Sequence, residues 1–217
     1  GASIEKFGDN PDRGATQRQL LENTLKYGAW RGEVVNRTAD GQELLIDCRT
    51  QVVLDEQGVI VALAGISTDI TERKQIEEAL RRRENQLQRI FEILPIGLWF
   101  ADKDGTLLRG NPKGIKIWGA EPMVPLSEYG VFKAWRLPSR EPVEADQWAL
   151  AKTICNRETI VDELLEIESF DGKRKTILNY SAPVLDGNGR LDGAVVVNLD
   201  VSDRTALEDQ LAQAQKM

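Results

Sequence analysis

Residues 53–74, VLDEQGVIVALAGISTDITERK, and residues 184–205, VLDGNGRLDGAVVVNLDVSDRT, are two versions of one segment. Each has a Gly-containing acidic turn, an apolar run, and an Asp that hands over to a stretch of helix formers. The offset of 131 residues extends upstream without a gap to Asp40 and Asp171 and downstream to Leu80 and Leu211. A period of this size in 217 residues makes the chain two units, each large enough to bury its own core.

Composition narrows the chemistry. Apolar residues make up 41% and charged residues 29%, the balance of a globular domain. The net charge of −7 gives no electrostatic reason to bind nucleic acid. With no histidine, the chain lacks a Ser-His-Asp or Cys-His site and any His-ligated haem or zinc. Cys48 and Cys155 are too few for a disulfide framework and suit a reducing cytoplasm. The longest apolar run, Val59–Ile66, is far short of the ~20 residues that span a bilayer, so no membrane contact is expected here and any anchor would lie elsewhere in a parent chain. The opening GASI has neither the basic region nor the apolar core of a signal peptide.

The periodicity of the second unit reads as two strands, a helical middle and three antiparallel strands. IGLWFADKDGTLLRGN is strand, turn at Asp104–Gly105, strand; Asn111 and Pro112 open a short helix that Gly119 stops. Residues 120–142 read as short helices and loops, and PVEADQWALAKTICN as helix. TIVDELLEIESF, RKTILNYSAPVL and RLDGAVVVNLDV are strands joined by DG-containing turns. The first unit matches only the later part of this plan: a helix over 14–27, then strands WRGEVVNR, ELLIDCRTQVVL and VIVALAGISTDI. Residues 1–13 offer no opening strand pair. Between the units, residues 71–94 read as one helix with a near-heptad stripe of Ile76, Leu80, Leu87, Ile90 and Leu94. That stripe suits either a dimer seam or packing on the helix's own domain.

ADKDGTLLRGNPKG, the DG pairs at 40 and 171, and the two quoted segments together resemble the PAS domain family with its PAC motif. The resemblance implies an α+β fold with a five-stranded antiparallel sheet in the order 2-1-5-4-3 and flanking helices. The expected boundaries are a first PAS domain truncated to its last helix and three strands at 1–70, a signalling helix at 71–94, a complete second PAS domain at 95–201 and an exit helix at 202–217. LEDQLAQAQKM resembles the helix leading into the dimerisation domain of bacterial sensor histidine kinases. The resemblance therefore implies a non-enzymatic input region whose own downstream output domain is a protein histidine kinase; a diguanylate cyclase or transcriptional regulator is the alternative.

At each exit, Asp69 and Arg73, or Asp200 and Arg204, stand close enough to pair across the strand-to-helix joint, with Thr71 and Ser202 placed to cap the new helix. Within the resemblance these six residues are candidates for signal relay. The light-sensing flavin branch gives a register that puts Leu165, Ile167, Ile177, Asn179, Val196 and Asn198 on the sheet's inner face, opposite Trp99 and Trp118. This is the candidate pocket. It lacks that branch's reactive Cys motif. Asn179 and Asn198 either satisfy each other, the backbone or a water, or hold a small metabolite, with non-covalent FAD a weaker reading. Glu163, Glu166 and Glu168 lie on a strand with no acid or base placed to work with them catalytically, which leaves a free-standing enzyme the weak reading. Loss of two strands from the first unit would uncover VALAGISTDI as an apolar edge, so a homodimer is expected through that edge and the helix.

Overall fold

A computed structural model describes residues 14–38 and 40–215. Its internal contacts divide the chain into a unit ending at Asn85 and another beginning at Gln86. The expected absence of a strand pair in residues 1–13 lies outside the described residues.

In the first unit, α1 (Gln17–Tyr27) starts at a reciprocal capping box: the Thr16 hydroxyl accepts the Gln19 N–H, and the Gln19 side chain accepts the Thr16 N–H. Gly28 ends it at φ 82°, a conformation that costs glycine little. The strands β1 (Ala29–Arg37), β2 (Glu43–Leu54) and β3 (Ile60–Asp69) follow as an antiparallel sheet in chain order. Leu20 of α1 packs on Val34, Ile46 and Cys48. Every residue of β3 is exposed, including Val61, Leu63 and Ile66, and β3 pairs only with β2 among the described residues.

The helix α2 (Thr71–Ile93) contains neither Gly nor Pro and runs from the first unit into the second. Ile76, Leu80, Leu87 and Ile90 are all exposed, while Leu94, just beyond the last turn, is half-buried. Phe91 is the buried residue of this helix; its ring stacks on Phe100 at 5.6 Å, and the Arg109 guanidinium lies 4.5 Å above it. The end nearest the second unit thus packs on its own domain, and the apolar stripe does not.

The second unit comprises β4 (Gly97–Asp102), β5 (Leu107–Gly110), α3 (Pro112–Trp118), β6 (Lys133–Arg136), α4 (Ala149–Asn156), β7 (Ile160–Glu168), β8 (Arg174–Leu185), β9 (Leu191–Asp200) and α5 (Ser202–Ala214). The sheet order is β5-β4-β9-β8-β7-β6, all antiparallel. This is the PAS-like α+β arrangement, with β6 added beyond β7.

The added strand is a departure from the reading of 120–142 as helix and loop. Four residues flanked by prolines are too short to show alternation, yet Ala134 turns inward, and Lys133 meets Glu168 across the pair at 2.7 Å. The same strand delays α4, whose sequence pattern begins at Pro142. Val143 donates its N–H to the Ala134 carbonyl and keeps the chain extended, and a single 3-10 turn over Ala145–Gln147 intervenes before Ala149.

Two glycines let α3 and an indole close over the sheet. A Cβ on Gly110 would come within 2.4 Å of the Trp99 ring, and one on Gly114 within 2.9 Å of its Nε1. Trp99, Ile117, Trp118, Leu165, Ile167, Ile177 and Val196 then form a continuous core between the sheet and the helices.

Candidate functional site: twin helix exits and an aromatic cavity

Each sheet delivers its outgoing helix through the same hydrogen bonds. At the first exit Asp69 Oδ1 accepts the Thr71 N–H at 2.8 Å, while Thr71 Oγ1 accepts the Leu45 N–H from β2 at 2.8 Å. The Ile70 N–H donates to the Leu45 carbonyl, also at 2.8 Å. At the second exit Asp200 Oδ1 accepts from the Ser202 N–H at 3.1 Å and from its hydroxyl at 2.7 Å. Ser202 Oγ accepts the Thr176 N–H from β8 at 2.9 Å, and the Val201 N–H donates to the Thr176 carbonyl at 2.8 Å. Leu45 and Thr176 are themselves 131 residues apart. Both polar backbone groups of one residue on the middle strand are therefore spent on holding the helix start.

Two sequence expectations are corrected here. Asp69 and Arg73 do not pair, nor do Asp200 and Arg204. Arg73 reaches Glu77 at 2.8 Å and Arg204 reaches Glu208 at 2.8 Å, because residues four apart share a helix face. The aspartates lie before the helix and turn back onto the i+2 amide. These Arg–Glu pairs are mostly exposed, so each contributes well under ~1 kcal/mol. Thr71 and Ser202 also do not cap by accepting a helix N–H: they accept from the strand, and the aspartates serve the helix. The Thr71 hydroxyl and then its N–H hold the Asp69 carboxyl below the ordinary carboxylate range.

The candidate pocket residues fall into two groups. Trp99, Trp118, Asn179, Val196 and Asn198 line one cavity together with Leu107, Pro122, Tyr129, Phe132, Trp148 and Leu150. Leu165, Ile167 and Ile177 are fully buried in the core beside it but do not line it. The cavity is about 50 Å³. An apolar cavity of ~150 Å³ accommodates benzene, and drug-sized ligands occupy ~300 Å³ or more, so a flavin enters only if the rings move. Trp118 is one wall of it, packed edge-on against Phe132 at 5.2 Å and Trp148 at 6.0 Å.

The polar groups of this wall form a chain whose direction is fixed by its ends. Trp118 Nε1, a donor only, gives to Asn198 Oδ1 at 2.9 Å. Asn198 Nδ2 then gives to Asn179 Oδ1 at 2.8 Å, and Asn179 Nδ2 to Glu163 Oε2 at 2.9 Å. Glu163, 12% exposed at its side chain, faces Arg136 Nε at 3.6 Å, and Arg136 donates to Gln147 Oε1 at 3.0 Å. The two asparagines thus satisfy each other, one of the alternatives left open by the sequence. Trp148 Nε1 also borders the cavity and has no acceptor among the described residues.

Sequence spacing places no group beside Glu163; the structure sets Asn179 and Arg136 there. A break in the β7–β8 register between Ile160 and Glu163, with Asp162 at φ 53°, sets the start of this strand, and Glu163 stands opposite Asn179. The hub role of Asn111 was only partly legible. Its Oδ1 caps α3 through the Gly114 N–H at 2.7 Å, as the sequence implied, and also accepts the Leu98 N–H at 2.9 Å. Its Nδ2 gives to the Phe91 and Ile96 carbonyls at 3.1 and 2.9 Å. Leu45 and Thr176 were missed altogether, though their shared offset from Thr71 and Ser202 was a signal to follow. Among the described residues no acidic or thiol cluster has the geometry of a metal site.

The family model for the PAS domain matches residues 1–72. That segment, a third of the chain, is similar to the PAS domain family. A sensor protein, FixL, from Bradyrhizobium diazoefficiens is 33% identical over 109 residues, covering 47% of this chain and 21% of that protein. A nitrogen fixation regulatory protein of Klebsiella pneumoniae is 22% identical over 94 residues, covering 43% and 19%. The chain therefore spans about a fifth of the length of the curated relatives it matches. Among solved structures, the PAS domain of BvgS from Bordetella pertussis aligns at 19% identity with a TM-score of 0.41, covering 63% of this chain and 98% of that one. No helix among the described residues is long and apolar enough to cross a membrane.

Proposed function

We propose that this chain is the sensory and dimerisation region of a bacterial two-component histidine kinase. A ligand or conformational change in the second unit alters how β8 and β9 hold α5, and α5 carries the change to an output domain. The observation that carries the reading is the pair of matching exits, each tying a helix start to a middle-strand residue rather than leaving it free. Similarity to a sensor protein supports it. So does the unpaired apolar stripe of α2, which suits a parallel seam with a second copy, and the exposed edge of β3, which suits strand pairing between copies. A cytoplasmic placement fits the two free cysteines.

The test uses the longest natural chain containing these residues, incubated with labelled ATP. The reading expects acid-labile phosphohistidine and a change of about fivefold or more in its rate of formation on Ser202→Ala, the scale of an ordinary allosteric coupling. An unchanged rate sinks the exit's signalling role. Production of a cyclic dinucleotide, or promoter binding without phosphohistidine, transfers the same exits to the second reading, a PAS-regulated cyclase or transcriptional regulator; the similarity to a nitrogen fixation regulatory protein favours the latter. Light scattering of the present chain tests the homodimer: a monomeric mass at high concentration removes it.

A further inference from the structure

The short helix α3 is fastened at both ends to elements of opposite roles. At its start, Asn111, fully buried, makes four hydrogen bonds: two cap α3 and hold β4, and two hold the Phe91 and Ile96 carbonyls where the connecting helix ends. At its last residue, Trp118 donates to Asn198, two residues before the Asp200 that holds the exit helix. Between these ends α3 lies directly on the sheet, because Gly97 lets it approach. A Cβ at Gly97 would come 2.9 Å from the Gly114 Cα and 3.3 Å from the Asn198 Cβ. The connecting helix, α3 and the exit strand are therefore joined by a second route, beside the direct β4–β9 pairing of Gly97 with Asn198.

We infer that α3 is a rigid coupler within the second unit, which transmits displacement of the incoming helix end at Asn111 to β9 and the exit at Asp200 through Trp118. A packed helix with a buried hydrogen bond at each end resists bending, so a shift imposed at one end is passed to the other rather than absorbed. The inference rests on the second unit being the signalling domain proposed above. It is nevertheless tested in this chain alone, without any output activity, so its failure is distinct from the failure of that reading.

The experiment is amide hydrogen exchange on the 217-residue chain and two variants. Asn111→Asp keeps the oxygens that accept from Leu98 and Gly114 but removes the donors to Phe91 and Ile96. Trp118→Phe keeps a ring and removes the N–H. The coupler predicts that Asn111→Asp speeds exchange at Val201 and Thr205 about fivefold or more. It predicts that Trp118→Phe does the same at Leu94, whose N–H donates to Ile90, and that the double variant is no faster than the faster single one. Changes confined to each variant's own neighbourhood, or a double effect equal to the product of the singles, overturn it. If Asn111→Asp fails to fold, Arg109→Gln replaces it, because it frees the connecting helix from the surface through Gln88 and Phe91 without a buried charge.

Discussion

The two units share a helix, three antiparallel strands and an exit, and differ in the core behind them. Among the described residues the first unit buries a cluster of four apolar side chains, Leu20, Val34, Ile46 and Cys48, whereas the second buries sixteen around Trp99, Trp118 and Trp148. The hydrogen bonds at Leu45 and Thr176 are nonetheless the same to within a few tenths of an ångström. The exit is therefore a local device, written by an Asp, a hydroxyl two residues later and one middle-strand residue, and independent of how much core lies under the sheet. What the core decides is how firmly the sheet that carries the device is held.

The largest effect expected is on the second core. Gly110→Ala drives a methyl group into the Trp99 ring and should cost the second unit about 3 kcal/mol, the upper range for overpacking. Urea unfolding followed by tryptophan fluorescence should show the second unit's transition moving to lower denaturant, while protection of β2 amides is retained; a joint loss of both would show that the units are not independent. Next come the exits. Thr71→Ala and Ser202→Ala each leave a strand N–H without its acceptor, worth about 1 to 2 kcal/mol of helix-start stability. Equal effects at the two sites would support a single device, and an effect at one alone would break the equivalence.

Acid should loosen the first exit more gently. The Asp69 carboxyl titrates below its ordinary value because the Thr71 hydroxyl and N–H favour its charged form. Its contribution is therefore complete above the ordinary carboxylate pKa and is lost as pH falls through the lowered value. Protection of the Leu45 amide, followed downward from about pH 4, should decline in the native chain. In Asp69→Asn it should start lower and show less of that decline. The smallest effects belong to Arg73→Ala and Arg204→Ala, expected within about 0.5 kcal/mol in thermal unfolding because both pairs are solvent-exposed. A loss above ~1 kcal/mol would restore a structural role for these arginines at the joint.

The strands themselves were legible from alternation and from the 131-residue repeat, whereas the strand order and the inward register of Leu165, Ile167, Ile177, Asn179 and Asn198 came from the PAS resemblance, since pairing between distant strands leaves no local pattern. The strand Lys133–Arg136 was hidden because its partner Glu168 is 35 residues away and its own four residues carry no period. The exits were half legible. Asp69, Thr71, Asp200 and Ser202 stood out by repetition, but the hydroxyls' true partners lie 26 residues upstream, and short-range spacing suggested the arginines instead. The size of the cavity was not legible at all, since it depends on how Trp118, Phe132 and Trp148 pack against one another.

Amide exchange at Thr176 and Thr205 in Ser202→Ala tests the central claim most directly. If the exit hydroxyl holds the helix to the middle strand, the Thr176 amide loses its acceptor and exchanges about tenfold faster, and the Thr205 amide in the first turn of α5 accelerates with it. An accelerated Thr176 with an unchanged Thr205 would contradict the account, because the helix start would then be held by something other than the strand.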